Sequence, residues 1–125
     1  MNLFKKNKKI LVVEDDDDIA EELEARLSLE GYCVLRAENG KTGVEKARTE
    51  KPDLIIMDVT MPKLDGHEAC KILKADDAFK TIPILFLTAR PLMADSEKAF
   101  ELGASDFLKK PYTNDQLIAK IHKYI

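Results

Sequence analysis

Cysteine is almost absent. Cys33 and Cys70 are the only two in the chain, too few for a disulfide framework and not in a metal-type spacing. One lies in a strand-like stretch and the other in a helix-like one, so two buried thiols in a reducing cytoplasm are expected. His67 and His122 have no spaced partner of the kind zinc requires, which leaves them as surface residues. No apolar run is long enough to span a bilayer. Met1 to Lys9 is rich in lysine but lacks the apolar segment and small-residue cleavage site of a signal peptide. With a formal net charge of −3, residues 1–8 read as a solvated lead-in rather than a nucleic-acid arm. No linker, low-complexity tract or appended DNA-recognition module is visible. The 125 residues, 45% hydrophobic and 34% charged, suit a single globular domain, 1–125, with no effector domain.

What is present is alternation. Five short apolar or β-branched runs, Lys9–Val13, Tyr32–Ala37, Leu54–Met57, Ile84–Leu87 and Asp106–Leu108, are separated by helix-length segments. The continuously apolar runs Ile10–Val13 and Leu54–Met57 are expected of strands covered by helices on both faces. Ile19, Leu23 and Leu27 recur every four residues, and Gly31 supplies a helix end. Asn39-Gly40 marks a turn before a second helix with Val44 and Ala47 on one face. Ala69, Ile72 and Leu73 stripe a third, and a fourth ends near Leu102-Gly103. Thr113 with Gln116 reads as a capping box for the fifth, whose inner face is Leu117, Ile118, Ile121 and Ile125. Five βα units imply a parallel sheet with right-handed crossovers.

In such a sheet, ligands bind beyond the carboxyl ends of the strands. Those ends carry Glu14 and Asp15 after the first strand, Asp58 after the third, Thr88 after the fourth and Lys110 after the fifth. Strand two, ending Arg36-Ala37-Glu38, offers no comparable isolated group. Clustered carboxylates repel one another, and a hard divalent cation with oxygen ligands, Mg²⁺ first, removes that penalty. An aspartate can take a phosphoryl group to form an acyl phosphate. Lys110 and the Thr88 hydroxyl are suited to the charge on the transferred group's oxygens. Asp16, Asp17 and Asp18 are expected at the surface, opening the first helix, where acids are favoured. An EF-hand reading of that run fails for want of the turn glycine and closing glutamate.

The stretches Ile10–Asp18, Met57-Asp58-Val59-Thr60-Met61-Pro62 with Asp65-Gly66, Leu87-Thr88-Ala89 and Lys109-Lys110-Pro111 resemble the receiver domain of two-component response regulators. The match in type, order and spacing runs from about Lys8 onward. The resemblance implies a flavodoxin-like, doubly wound α/β fold, (βα)5, with a five-stranded parallel sheet of order 2-1-3-4-5, the topology of the family's chemotaxis members. It makes Asp58 the phosphoacceptor from a histidine kinase or phosphotransfer protein. Glu14 and Asp15 match the acidic pair, with Asp15, Asp58 and the backbone carbonyl of Thr60 as Mg²⁺ ligands. Thr88 matches the switch hydroxyl, Phe107 the coupled aromatic and Lys110 the ion-pair partner of Asp58. The Lys110-Pro111 bond is expected cis. Glu14 stands where aspartate is more frequent, Tyr112 where phenylalanine is usual, and Thr60 and Arg90 flank the acyl phosphate.

On this reading the chain is a regulatory phosphoprotein and not a turnover enzyme. Phosphorylation would draw Thr88 and Phe107 inward and repack the face of the fourth helix, fifth strand and fifth helix for a downstream protein partner, or for a phosphorylation-dependent dimer. Neither direct nucleic-acid binding nor membrane association is expected. Haloacid-dehalogenase-like hydrolases also use a strand-end aspartate with Mg²⁺, but they need a second aspartate where this chain has Thr60. A phosphorylation-independent interaction module is the other alternative. Such modules usually lose the acceptor, an acidic ligand or the lysine, and all three types are retained here.

Overall fold

A computed structural model describes residues 8–58, 72–77, 79–88 and 104–125. Five strands, β1 (Lys9–Val13), β2 (Cys33–Ala37), β3 (Leu54–Asp58), β4 (Ile84–Thr88) and β5 (Asp106–Lys109), form one sheet. The order is β2-β1-β3-β4-β5 and every pair is parallel. Helix α1 spans Asp17–Leu29, α2 spans Gly40–Glu50, and a C-terminal helix spans Asn114–Tyr124. The third helix is described only over residues 72–75, and the fourth lies outside the described residues.

Strand alternation splits the core into two layers. Leu11, Val13, Ile55, Met57, Ile84 and Phe86 pack on one face with Val44, Ala47, Leu73 and Phe79. Ile10, Val12, Leu54, Ile56, Leu85 and Leu87 pack on the other with Leu23, Leu27, Leu117 and Ile121. Successive side chains on a strand point to opposite faces, so an unbroken apolar run is what two covered faces demand. β1, β3 and β4 are buried almost throughout.

The helices begin where local chemistry satisfies their first N–H groups. Asp16 Oδ1 accepts from the Ile19 N–H at 3.0 Å, and Asn39–Thr42 and Thr113–Gln116 form reciprocal capping boxes. Two glycines serve different needs. Gly31 follows α1 with φ +96°, and Gly43 lets α2 approach β1, since a Cβ there would meet Val13 Cγ2 at 2.9 Å.

Two expectations are corrected. Cys33 is exposed, because it opens β2, an edge strand that is half-covered along most of its length. Ile72 is 42% exposed while Leu73 is buried, so the third helix turns Leu73, not Ile72, to the core. Cys70 and Ala69 lie outside the described residues.

Tyr32 is 4% exposed, and its hydroxyl has no hydrogen-bond partner among the described residues. An unsatisfied buried hydroxyl costs about 1–3 kcal/mol. Tyr32→Phe is therefore predicted to raise unfolding free energy by about 1 kcal/mol in urea titrations. A loss of stability would reveal a partner for that hydroxyl.

Candidate functional site

Parallel pairing brings β1 and β3 out of the sheet together. Val13 is in register with Met57, so the next residues, Glu14 and Asp58, emerge side by side. Both are buried, at 1% and 4% exposure. Asp15, exposed one residue further on, completes a trio whose carboxylate oxygens lie within 4.8 Å of one another. Like charges 4 Å apart near a protein surface repel by about 4 kcal/mol, so this trio is poorly tolerated without a counter-charge.

Lys110 supplies part of that charge, its Nζ donating to Asp58 Oδ2 at 2.9 Å. The Lys110 N–H donates to the Thr88 carbonyl at 2.7 Å, which ties the ends of β4 and β5 together. The Lys110-Pro111 peptide is cis, as the resemblance implied. Among the described residues, one ammonium against three carboxylates leaves the site acidic.

Glu14 records the imbalance. Its carboxyl is pushed up to about 8, first by burial, then by hydrogen bonding of its proton to Asp58 and Asp15. The Asp16 N–H, donating to Oε2 at 3.2 Å, pulls the other way. Oε1 is buried and receives no donor among the described residues. Its neighbours among the described residues include the carboxylates of Asp58 and Asp15, which it meets by holding a proton or by facing a shared cation. A hard divalent cation fits this donor set of oxygens with an unsatisfied buried member. Thr60, Ala89 and Arg90 lie outside the described residues, as does Asp65-Gly66.

Thr88 is buried and follows Phe86 by two residues, so alternation puts it on the face that Phe107 also occupies. Phe107 is half-buried against that core layer, with Lys120 Nζ 6.0 Å from its ring centroid. Lys109 and His122 are exposed, in line with their reading as surface residues. Tyr112 packs against the opposite layer and shares a groove with Ile19, Leu23 and Pro111; burial raises its phenol above the ordinary value.

Two polar centres escaped the sequence reading. Arg36 crosses from β2 to the loop after β1, donating to the carbonyl of Glu14 (3.0 Å) and to Asp17 Oδ1 (2.6 Å). A lone arginine at a strand end, facing five consecutive acids in the chain, was the available signal. Asp106, buried at the start of β5, receives Lys120 Nζ at 2.9 Å, the Phe107 N–H at 2.8 Å and the Tyr124 hydroxyl at 3.0 Å. Burial opposes its ionisation, but these donors outweigh burial and hold the carboxyl below the ordinary range. Lys120 and Tyr124 lie 14 and 18 residues away, and no sequence pattern announced them.

This parallel sheet, with an acidic pair and a lysine converging on a strand-end aspartate, defines a class of signalling domain, and the chain belongs to it: residues 10–122 match the response regulator receiver domain. Over 115 residues the chain is 44% identical to the alkaline phosphatase synthesis transcriptional regulatory protein PhoP of Bacillus subtilis (strain 168), covering 92% of this chain and 47% of that protein. The chain spans about half the length of the curated relatives it matches. Among solved structures, Vibrio cholerae chemotaxis protein CheY4 superposes with a TM-score of 0.88 at 30% identity, over 94% of this chain and 98% of that one. The receiver domain of the sensor histidine kinase PA1611 from Pseudomonas aeruginosa PAO1 gives 0.85 at 32% identity, over 94% and 97%, and holds a magnesium ion in its active-site cleft. The fold is thus the flavodoxin-like receiver fold, and the family is one of regulatory domains in two-component phosphorylation signalling. Among the described residues no helix is long and apolar enough to cross a membrane.

The raised carboxyl of Glu14 has a signed consequence. Its folded value lies above the ordinary 4.5, so the stability it carries is complete below that pH and is lost as pH climbs through about 8. With metal chelated, Glu14→Gln is predicted to unfold at the native temperature near pH 4 and a few degrees above it beyond pH 8. An equal or lower midpoint at the alkaline end would contradict the crowding.

Proposed function

We propose that this chain is a phosphoacceptor of a two-component phosphorelay, in which Asp58 takes a phosphoryl group from a histidine kinase or phosphotransfer protein. The observation that carries the reading is the Asp58–Lys110 ion pair set against the buried Glu14 and exposed Asp15. An oxygen of the Asp58 carboxylate attacks phosphorus. The P–N bond to the donor imidazole breaks, its electron pair stays on the imidazole, and an acyl phosphate forms. Lys110 stands where it can balance charge on an oxygen of the incoming group, in a reaction governed by positioning and electrostatics.

Glu14, Asp15, Asp58 and the Thr60 carbonyl would hold Mg²⁺, which when bound neutralises phosphoryl charge. A magnesium ion in the cleft of the PA1611 receiver domain supports that assignment, as does Oε1 of Glu14, which receives no donor among the described residues. Chemistry at Asp58 ends with self-phosphorylation and autodephosphorylation, so the chain acts as a switch in the cytoplasm rather than as a turnover enzyme.

The sheet supports a reading of the output. Thr88 and Phe107 share one face, on the two strands beyond the acceptor's own. Reorientation of Thr88 toward a phosphoryl group would open space into which Phe107 moves. β5 and the C-terminal helix, with the segment read from the sequence as a fourth helix, would then form the face that a downstream protein or a second phosphorylated copy reads.

Incubation with a small phosphodonor and Mg²⁺, followed by intact-mass measurement, tests the proposal. The native chain should gain one phosphoryl group and Asp58→Asn none. An unmodified native chain, or equal gain by Asp58→Asn, would remove Asp58 as acceptor.

A further inference from the structure

The loop from β1 into α1 carries two of the three clustered carboxylates, and one side chain from another strand grips it at three points. Arg36, in register with Val12, sends its guanidinium across that loop. Nε and Nη2 donate to the Glu14 carbonyl at 3.3 and 3.0 Å, and Nη2 also reaches the Asp15 carbonyl at 3.4 Å. Nη1 donates to Asp17 Oδ1, in the first turn of α1, at 2.6 Å. The base of the arm is itself held, because Lys46 Nζ from α2 donates to the Arg36 carbonyl, and the Glu14 N–H donates to the Ala37 carbonyl at 3.0 Å. The guanidinium therefore fixes the backbone on both sides of Asp15.

Asp15 is the exposed member of the trio, whereas Glu14 and Asp58 are buried. Mutual repulsion acts most easily on the member with room to move, so in the metal-free protein Asp15 is the ligand that would swing outward. We infer that Arg36 is a positioning residue for the cation site, holding the Asp15 backbone so that its carboxylate stays convergent with Glu14 and Asp58. This inference rests on the Mg²⁺ reading proposed above. A planar five-donor fork holds two carbonyls and a carboxylate from separate nitrogens in one fixed geometry, whereas an ammonium offers three donors from a single point on a flexible stem.

Charge alone makes the opposite forecast. A guanidinium near a cation site repels the cation, so a purely electrostatic Arg36 would weaken binding and its removal would tighten it. The sign of the effect thus separates the two roles. Mg²⁺ titration calorimetry of the full chain should give about tenfold weaker binding for Arg36→Lys, which keeps the charge and stem but loses the fork, by analogy with other residues that orient metal ligands. Arg36→Ala should weaken binding at least as much. In chelator, Arg36→Lys should speed amide exchange at Asp16 and Asp17 while its thermal midpoint confirms a folded chain. Should Arg36→Ala fail to fold, Arg36→Lys decides the matter alone. Native-like or tighter binding by Arg36→Lys, with the native chain binding Mg²⁺, overturns the role of Arg36 and leaves the metal site standing. If the native chain binds no Mg²⁺, the metal reading itself falls, and this inference with it.

Discussion

Parallel register at the centre of the sheet is the constraint from which the site follows. With Val13 opposite Met57, whatever follows each strand must surface beside the other, and here both successors are acidic. Burial of the two apolar layers forces Glu14 and Asp58 together, since a one-residue slip of β1 against β3 would turn the buried side chains of β1 to the wrong faces. The cluster is thus maintained by the core and not by any attraction of its own. Lys110, arriving from the end of β5 across β4, offsets part of the repulsion, and the remainder is left for a bound cation or a proton on Glu14.

On the proposed reading, the same sheet separates reception from output. Glu14 and Asp58 continue the alternation of Ile10, Val12, Leu54 and Ile56, while Thr88 and Phe107 belong with Phe86 on the other layer. The proposed switch would carry a charge change at the rim to the opposite face through the end of β4. At the edge of the sheet, Asp106 gathers Lys120, Lys123 and Tyr124, fixing the C-terminal helix to β5 beside Phe107. That arrangement gives the proposed switch a rigid frame to move against.

Much of this was legible in the chain because short-range rules govern it. Apolar runs bounded by polar residues marked all five strands to within a residue or so, and Thr113 with Gln116 marked the start of the C-terminal helix, because both are written in consecutive residues. The rim residues Glu14, Asp15, Asp58, Thr88 and Lys110 followed from strand ends alone. What escaped depended on strand order and long-range contact. Cys33 has apolar neighbours, the mark of a buried thiol, but β2 is an edge strand and its first residue faces water. Arg36 has the sequence surroundings of an ordinary strand end, because its partners become neighbours only once β2 pairs with β1.

At the centre stands a fold that crowds carboxylates which a divalent cation would relieve. Thermal unfolding of the native chain across a series of Mg²⁺ concentrations, at fixed ionic strength and neutral pH, addresses this most directly, with Asp15→Asn measured alongside. Binding to the folded state alone stabilises in proportion to the logarithm of ligand concentration once the site is saturated. The midpoint should climb with Mg²⁺ for the native chain and climb far less for Asp15→Asn. A native midpoint indifferent to Mg²⁺, or an equal climb in both proteins, would contradict the crowded-carboxylate site.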